Sequence, residues 1–430
     1  MGKAWRQGPN WIWYILFGFL LWMSFNRNWR FGRFNYHDEL WADKAGYHVF
    51  LPASFIYGWD ARLFPHEVDK RTGAGFQLNT WSNGINTKYP PGVAVMRLPF
   101  FLTAHLWAKI SGTPADGFTM PYHASAIIAG VFYAVAGLWV FWRFLLYYFR
   151  RNVAWVGVFG LIFGTNLWYY IVEEPGLSHV YSFFLSALLL WELKRFSLSE
   201  KTRHLALAAL CLGMMACVRP QNLLLFSPFL MWWLWQNGSC IIRKPMAIAW
   251  GLSLAFLAVT PLIAYRIYLN AKGFVPYDGE GFIYWESPHV LKVLFAPENG
   301  LFPGSPFLLP LIPVLLLYFF RNAGAWRYIC ASTLMVFAAC TLMYASWWAW
   351  GLACGFGHRG FIEFYPLFAW VMLRGFADVW HQFRWRLFTS IFLVICALWV
   401  LPLSFHWPYC VDGPFWNWYR YLFIWAGKPI

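Results

Sequence analysis

Long apolar runs separated by short polar connections set the pattern of this chain. Runs long enough to cross a hydrocarbon layer of about 30 Å fall at 11–25, 121–149, 153–172, 178–196, 204–218, 222–236, 246–270, 306–320, 328–346, 361–377 and 387–405. They predict eleven membrane-spanning helices, several of them short. The first run follows a basic start and carries no small-residue cleavage site, so it reads as a retained helix rather than a signal peptide. The stretch "VAVMRLPFFLTAHLWAKI", 93–110, is ambiguous, and a twelfth span there would move the preceding loop to the other side. Arg97 would cost about 2.5–3.5 kcal/mol near the bilayer centre, and Pro99 removes a helix hydrogen bond. The expectation is an interfacial helix on the outer surface.

Basic clusters recur at alternate connections: Arg150-Arg151, Lys194-Arg195 with Lys201 and Arg203, Arg243-Lys244, Arg321 with Arg327, and Arg384 with Arg386. This is the excess expected of cytoplasmic loops. The segments 173–179, 219–222, 271–305 and 347–360 and the C-terminal tail then face outward, and most of the acids lie on that side. Residues 26–120 form the first extracytoplasmic loop and 271–305 a second long one, within a single transmembrane domain over 1–430. Arg27, Arg30 and Arg33 pull the first loop the other way, against Lys3, Arg6 and the amino terminus. Charge alone does not settle that loop.

Composition agrees with an all-α polytopic membrane protein: 60% of residues are hydrophobic and only 12% charged, too apolar for a soluble chain of this size. The net charge of +15 raises the question of nucleic acid. The cations sit in short clusters between apolar runs rather than on one basic face, so the charge encodes topology and no nucleic acid is expected. The eight cysteines form no CxxC pair and read as packing residues. There is no HExxH, no His/Cys cluster, no Walker loop, no GxGxxG and no GxSxG, so neither a metal centre nor soluble nucleotide chemistry is predicted.

Candidate chemistry gathers on the outward connections. "FNYHDELWADKAG" places Asp38, Glu39 and Asp43 just after the first span, and "VEEPG" places Glu173 and Glu174 after the third. One acid would serve as a helix cap, and Pro175-Gly176 would serve as a plain turn; both readings stay open beside the catalytic one. Lys88 precedes "YPPG", where a proline-led helix start leaves N–H groups facing an anion. Arg219 in "CVRPQN" and Arg359 in "FGHRGF" stand at outer span ends, where arginine is less expected, and with His358 they suit a lipid phosphate. Each also reads singly as a headgroup anchor. His179 at the start of the fourth span would orient a carboxylate or bond a backbone group, and "WWAW" at 347–350 is most simply an interfacial belt.

An Asp-Glu pair after the first span, a surface helix introduced by Lys88-Tyr89-Pro90-Pro91, the acid-proline step Glu174-Pro175 and a basic motif before a late span together resemble the GT-C superfamily of integral-membrane glycosyltransferases. The resemblance covers most of the chain and is nearest to bacterial members of the protein mannosyltransferase and lipid A aminoarabinose transferase type. The chain departs in having Glu174 where Asp is more usual, in Tyr89 standing between Lys88 and the prolines, and in lacking a large soluble C-terminal domain. What the resemblance implies is transfer of a sugar, with inversion, from a polyprenyl-phosphate donor to a glycan, lipid or protein acceptor at the outer face of the cell (inner) membrane. It implies Asp38 as general base, which contributes roughly 10²–10⁴ in rate, and Glu39 and Glu174 as acceptor-positioning or second acids. It also implies Lys88, Arg219 and Arg359, with His358, as the clamp on the leaving phosphate, and Glu173, His179 and Tyr89 as supports. No cofactor is required; a divalent ion bridging Asp38 and Glu174 is an option the residues leave open. A transporter or flippase of lipid-linked sugars is the competing class, but it would show mid-membrane charges or paired repeats, and the notable charges here sit at span ends. A structural membrane subunit would not explain acids and cations converging on one face.

Overall fold

The structure, a computed structural model of the chain, describes residues 11–28, 38–275, 279–321, 323–352, 354–408 and 417–428. Arg30, Arg33, His37 and Cys410 lie outside these. Helix α1 (Trp11–Arg27) leads into a first loop holding α2 (Asp43–His48), α3 (Phe50–Phe55), α4 (Val68–Arg71), an antiparallel hairpin of β1 (Gln77–Asn79) and β2 (Gly84–Asn86), and α5 (Gly92–Ser111). There follow α6 (Met120–Leu145), α7 (Arg151–Phe163), α8 (Leu167–Val172), α9 (Ser178–Ser199), α10 (Thr202–Val218), α11 (Pro220–Ile242) and α12 (Pro245–Lys272). After the second long loop, with α13 (Val290–Phe295) and α14 (Leu301–Gly304), come α15 (Leu311–Arg321), α16 (Ala325–Ser346), α17 (Tyr365–Val379), α18 (Phe383–His406) and α19 (Trp418–Trp425).

Among the described residues, eleven helical passes alternate between two ends of the bundle: α1, α6, α7 with α8, α9, α10, α11, α12, α15, α16, α17 and α18. At one end Trp13 of α1 stacks on Trp155 of α7 at 5.3 Å, His204 at the start of α10 bonds Glu192 near the end of α9 at 2.5 Å, and Tyr318 of α15 donates to Asp378 of α17 at 2.5 Å. At the other end Arg27 pairs with Glu173, Lys272 donates to the Ser82 carbonyl at 2.7 Å, and Trp407 donates to the Gly355 carbonyl at 2.9 Å. The basic connections expected on one side all fall at the first of these ends. The predicted spans match the passes closely. The third is broken at 164–166, where Asn166 turns its amide to the Phe356 carbonyl at 3.1 Å. The β-hairpin, α13, α14 and α19 have no counterpart in the apolar pattern, because their residues are short or mixed in polarity.

Helix α5 is the instructive case. It is one of five helices, with α6, α12, α16 and α18, long and apolar enough to cross a membrane by length and composition. The cost expected for Arg97 in lipid does not arise: Arg97 is buried inside the protein, donating to the Tyr181 hydroxyl at 2.8 Å and the Gly176 carbonyl at 2.5 Å, so it meets no lipid. The packing of α5 bears on its placement. Gly92 at its start lies against the end of α10, where an added Cβ would stand 2.4 Å from the Val218 nitrogen. Its far half, through Phe101, Ala104 and Ala108, shares a core with Leu40, Phe64, Phe76 and Phe118 of the loops at that same end. His48 also donates to the Gly117 carbonyl at 2.8 Å just beyond it. Both ends of α5 thus pack against segments at one end of the bundle.

Candidate active site

Asp43 and Lys44 open α2, and their side chains diverge. Lys44 turns inward and is 1% exposed, its ammonium 3.1 Å from Glu174 and 3.4 Å from Glu39. Such closeness needs Gly176, because a Cβ there would stand 2.2 Å from the Glu39 carboxylate and 2.9 Å from the Lys44 chain. Tyr47, one turn on, donates to Ser178 at 3.0 Å, so α2 is bolted to the start of α9. Burial raises the Glu39 and Glu174 carboxyls against the pull of Lys44, and burial raises Glu173 to about 7 despite Arg27. Two carboxylates sharing one buried cation cannot both ionise cheaply.

Asp43 turns the other way. It accepts from the Tyr89 hydroxyl and lies 3.6 Å from the Arg359 guanidinium. Burial, and then the Asp43 charge, push the Tyr89 phenol well above its ordinary value, so it stays a donor. Arg219 takes an extended backbone between α10 and the proline that starts α11, as a residue before proline does. Its guanidinium reaches Glu363 at 3.0 Å, Ser178 at 3.2 Å and Tyr344 at 3.4 Å. Glu363 also accepts from His179 at 3.0 Å. Burial would raise the Glu363 carboxyl, but Arg219 and His179 outweigh it and hold the group below its ordinary value. Lys88 pairs with Glu280 of the second long loop.

These groups surround one branched cleft. A cavity of ≈ 350 Å³ is lined by Asp43, Lys88, Tyr89, His179, Arg219, Arg266, Glu280 and Arg359. A second, of ≈ 370 Å³, adds Trp41, Glu174 and Trp348. A third, of ≈ 610 Å³, opens between the hairpin and the end of α12. Asp43, Lys88, Tyr89 and Glu280 border all three. The sequence candidates Lys88, Tyr89, Glu174, His179, Arg219 and Arg359 therefore meet in one place.

Others do not. Asp38 is wholly buried, with His123 3.8 Å away, and borders none of these cavities; Glu39 and Glu173 also stand behind the wall. His358 is fully buried, donates to the Trp350 carbonyl at 2.9 Å, and is held by burial at about 3. It borders neither the first nor the second cavity, and so stands apart from Lys88, Arg219 and Arg359, beside which it was expected. A divalent ion between Asp38 and Glu174 does not fit either, since the Lys44 ammonium already stands against Glu174 and no group of three or more metal-ligating side chains occurs among the described residues. Cys354 on the cleft wall is disulfide-bonded, not the packing thiol expected. Asp43 was in view as one of several acids without an assigned role. Lys44, Arg266, Glu280 and Glu363 carried no motif that marked them.

No family model matches the chain, and no curated protein matches its sequence. Several solved structures are similar in fold, among them two from one archaeon. The Archaeoglobus fulgidus oligosaccharyltransferase AglB, in complex with an inhibitory peptide and a dolichol-phosphate, superposes with a TM-score of 0.52 at 10% identity, over 92% of this chain and 55% of that one. An Archaeoglobus fulgidus oligosaccharyltransferase tethered to an acceptor peptide gives 0.51 at 12% identity, over 94% and 55%. The chain thus spans about half the length of these proteins. With eleven alternating helical passes and acids and cations collected at one end, this multi-pass membrane protein shares its fold with these two oligosaccharyltransferase structures.

Proposed function

We propose that the protein is a membrane glycosyltransferase that moves a sugar from a polyprenyl-phosphate donor to a hydroxyl acceptor. The observation that carries this reading is the convergence of Lys88, Arg219 and Arg359 on one cavity beside the carboxylate of Asp43. The likeness to proteins solved with dolichol-phosphate or an acceptor peptide supports it. The acceptor O–H gives its proton to a carboxylate as its oxygen attacks the anomeric carbon. The bond from that carbon to the phosphate oxygen breaks on the opposite face, inverting the centre, and its electron pair leaves on the lipid phosphate. No general acid is needed, but the growing charge needs fixed cations.

We assign the base to Asp43 rather than to Asp38, because an acceptor hydroxyl must come within hydrogen-bond reach of it, and Asp43 is 37% exposed in the cleft while Asp38 is enclosed. Asp38, Glu39 and Glu173 then brace the loop, and Glu174 lies in the cleft as a second acid. The disulfide at Cys354 supports placing this end in an oxidising, extracytoplasmic compartment.

The test is single-turnover transfer by purified protein supplied with polyprenyl-phosphate sugars and membrane-extract acceptors. Asp43→Asn should bind donor yet lose about 10² or more in rate, and Asp38→Asn should transfer normally once folded. The reverse ranking would return the base to Asp38.

A further inference from the structure

The largest branch of the cleft has a character unlike the other two. Its walls include residues 73–76 before the hairpin, Gln77 and Asn86 paired at its base, Thr87 after it, and 273–275 after α12. It is built rather than left over. Tyr265 and Tyr268 of α12 tie down the hairpin, the Tyr265 hydroxyl accepting from the Thr87 N–H and donating to the Thr87 carbonyl, each at 2.8 Å, and the Tyr268 hydroxyl accepting from the Ile85 N–H at 2.7 Å. Thr87 in turn donates to the Gly75 carbonyl at 3.1 Å, joining the two walls formed by the first loop. The smaller ≈ 350 Å³ branch is bordered by apolar Leu177, Val218, Met343 and Phe282 as well as by arginines, a fit for an anionic lipid. The large branch has no arginine, and its one lysine, Lys88, pairs with Glu280. Two acids, Asp43 and Glu280, stand at its inner end.

On the proposed transfer reading, we infer that this ≈ 610 Å³ chamber is the acceptor subsite and that the acceptor is a neutral saccharide. Asp43 and Glu280 disfavour an anion, and the aromatic rings of Phe76, Tyr89 and Phe274 among polar groups suit the apolar face of a sugar ring. The amides of Gln77 and Asn86 offer both donors and acceptors, as a polyhydroxylated ligand requires, and the buried Asn86 Oδ1 has no hydrogen-bond partner. The chamber meets the cationic branch at Asp43. A sugar hydroxyl arriving from it would reach the base on the side away from the phosphate, the arrangement that inversion demands. A peptide acceptor would instead need an extended groove or an open strand edge to take its backbone.

The experiment uses the full chain in lipid nanodiscs. Saturation-transfer NMR is recorded with methyl glycosides of glucose, mannose, galactose and N-acetylglucosamine, and separately with a short serine peptide; binding of undecaprenyl phosphate is followed by tryptophan fluorescence. Gln77 is exposed on β1, so Gln77→Trp fills the chamber from its rim without disturbing the core. At least one glycoside should bind, Gln77→Trp should weaken it at least about tenfold, and undecaprenyl phosphate should still bind that variant. Undiminished glycoside binding by Gln77→Trp, or a signal from the peptide and from none of the glycosides, would overturn the proposal. Glycoside binding with no undecaprenyl phosphate binding by the wild-type protein would sink the transfer reading while upholding the chamber, so the two failures are distinct.

Discussion

Arg219 shows how a single side chain is prepared for a phosphate. Glu363, Ser178 and Tyr344 hold its guanidinium from three sides, and Glu363 is itself held by His179, so little rotamer freedom remains to be lost when an anion arrives. A lysine keeps the charge but not the planar fork. Arg219→Lys should therefore weaken undecaprenyl phosphate binding about tenfold, or ~1.4 kcal/mol, with little change in thermal unfolding. Affinity equal to wild type would mean that the fork does not contact phosphate. The position of Arg219 at an outer span end was legible in the chain. Its partner Glu363, some 140 residues on, was not, because only the fold brings α9, α10 and the segment before α17 together.

Helix α5 separates composition from placement. Its length and apolarity alone satisfy a span, yet its two ends pack at the same end of the bundle. If it lies along the membrane surface, cysteines before and after it share one side. Trp81→Cys in the fully exposed hairpin turn and Ser111→Cys at the helix end should both react with an impermeant reagent on intact cells. Labelling of one intact and the other only after lysis would make α5 a twelfth span. Gly75 is a poor site for this probe, since a Cβ there would stand 1.8 Å from the Ala42 carbonyl oxygen.

At the scale of the molecule, the site end stores buried charge. Glu173 titrates at about 7 instead of its ordinary 4.5, through burial that Arg27 only partly offsets. A carboxyl raised in this way contributes stability that is full below pH 4.5 and is lost as pH rises through about 7. Burial lowers His48 and His358 to about 3, so these oppose it, their contribution falling away as pH drops below the ordinary histidine range. Comparison with Glu173→Gln isolates the glutamate: the melting temperature of the variant relative to wild type should climb between pH 4.5 and 8 in detergent. A pH-independent difference would show that Glu173 is ionised throughout.

The sequence by itself determined the number and limits of the passes, the alternation of basic connections and the gathering of acids and cations at span ends. Hydrophobic length and loop charge act locally along a helix and can be read one segment at a time. The tertiary structure alone decided which acid faces the cleft. Asp38, Glu39 and Asp43 lie within six residues of one another, and nothing local distinguishes them. The burial of Lys44 between Glu39 and Glu174 turns α2 so that Asp43 points outward, and those partners come from segments 135 residues apart. The same holds for Arg97, whose cost in lipid was calculable from the sequence but whose escape from lipid depended on Tyr181 and Gly176. The energy of a buried charge is set by its neighbours, and in this chain those neighbours are distant in sequence.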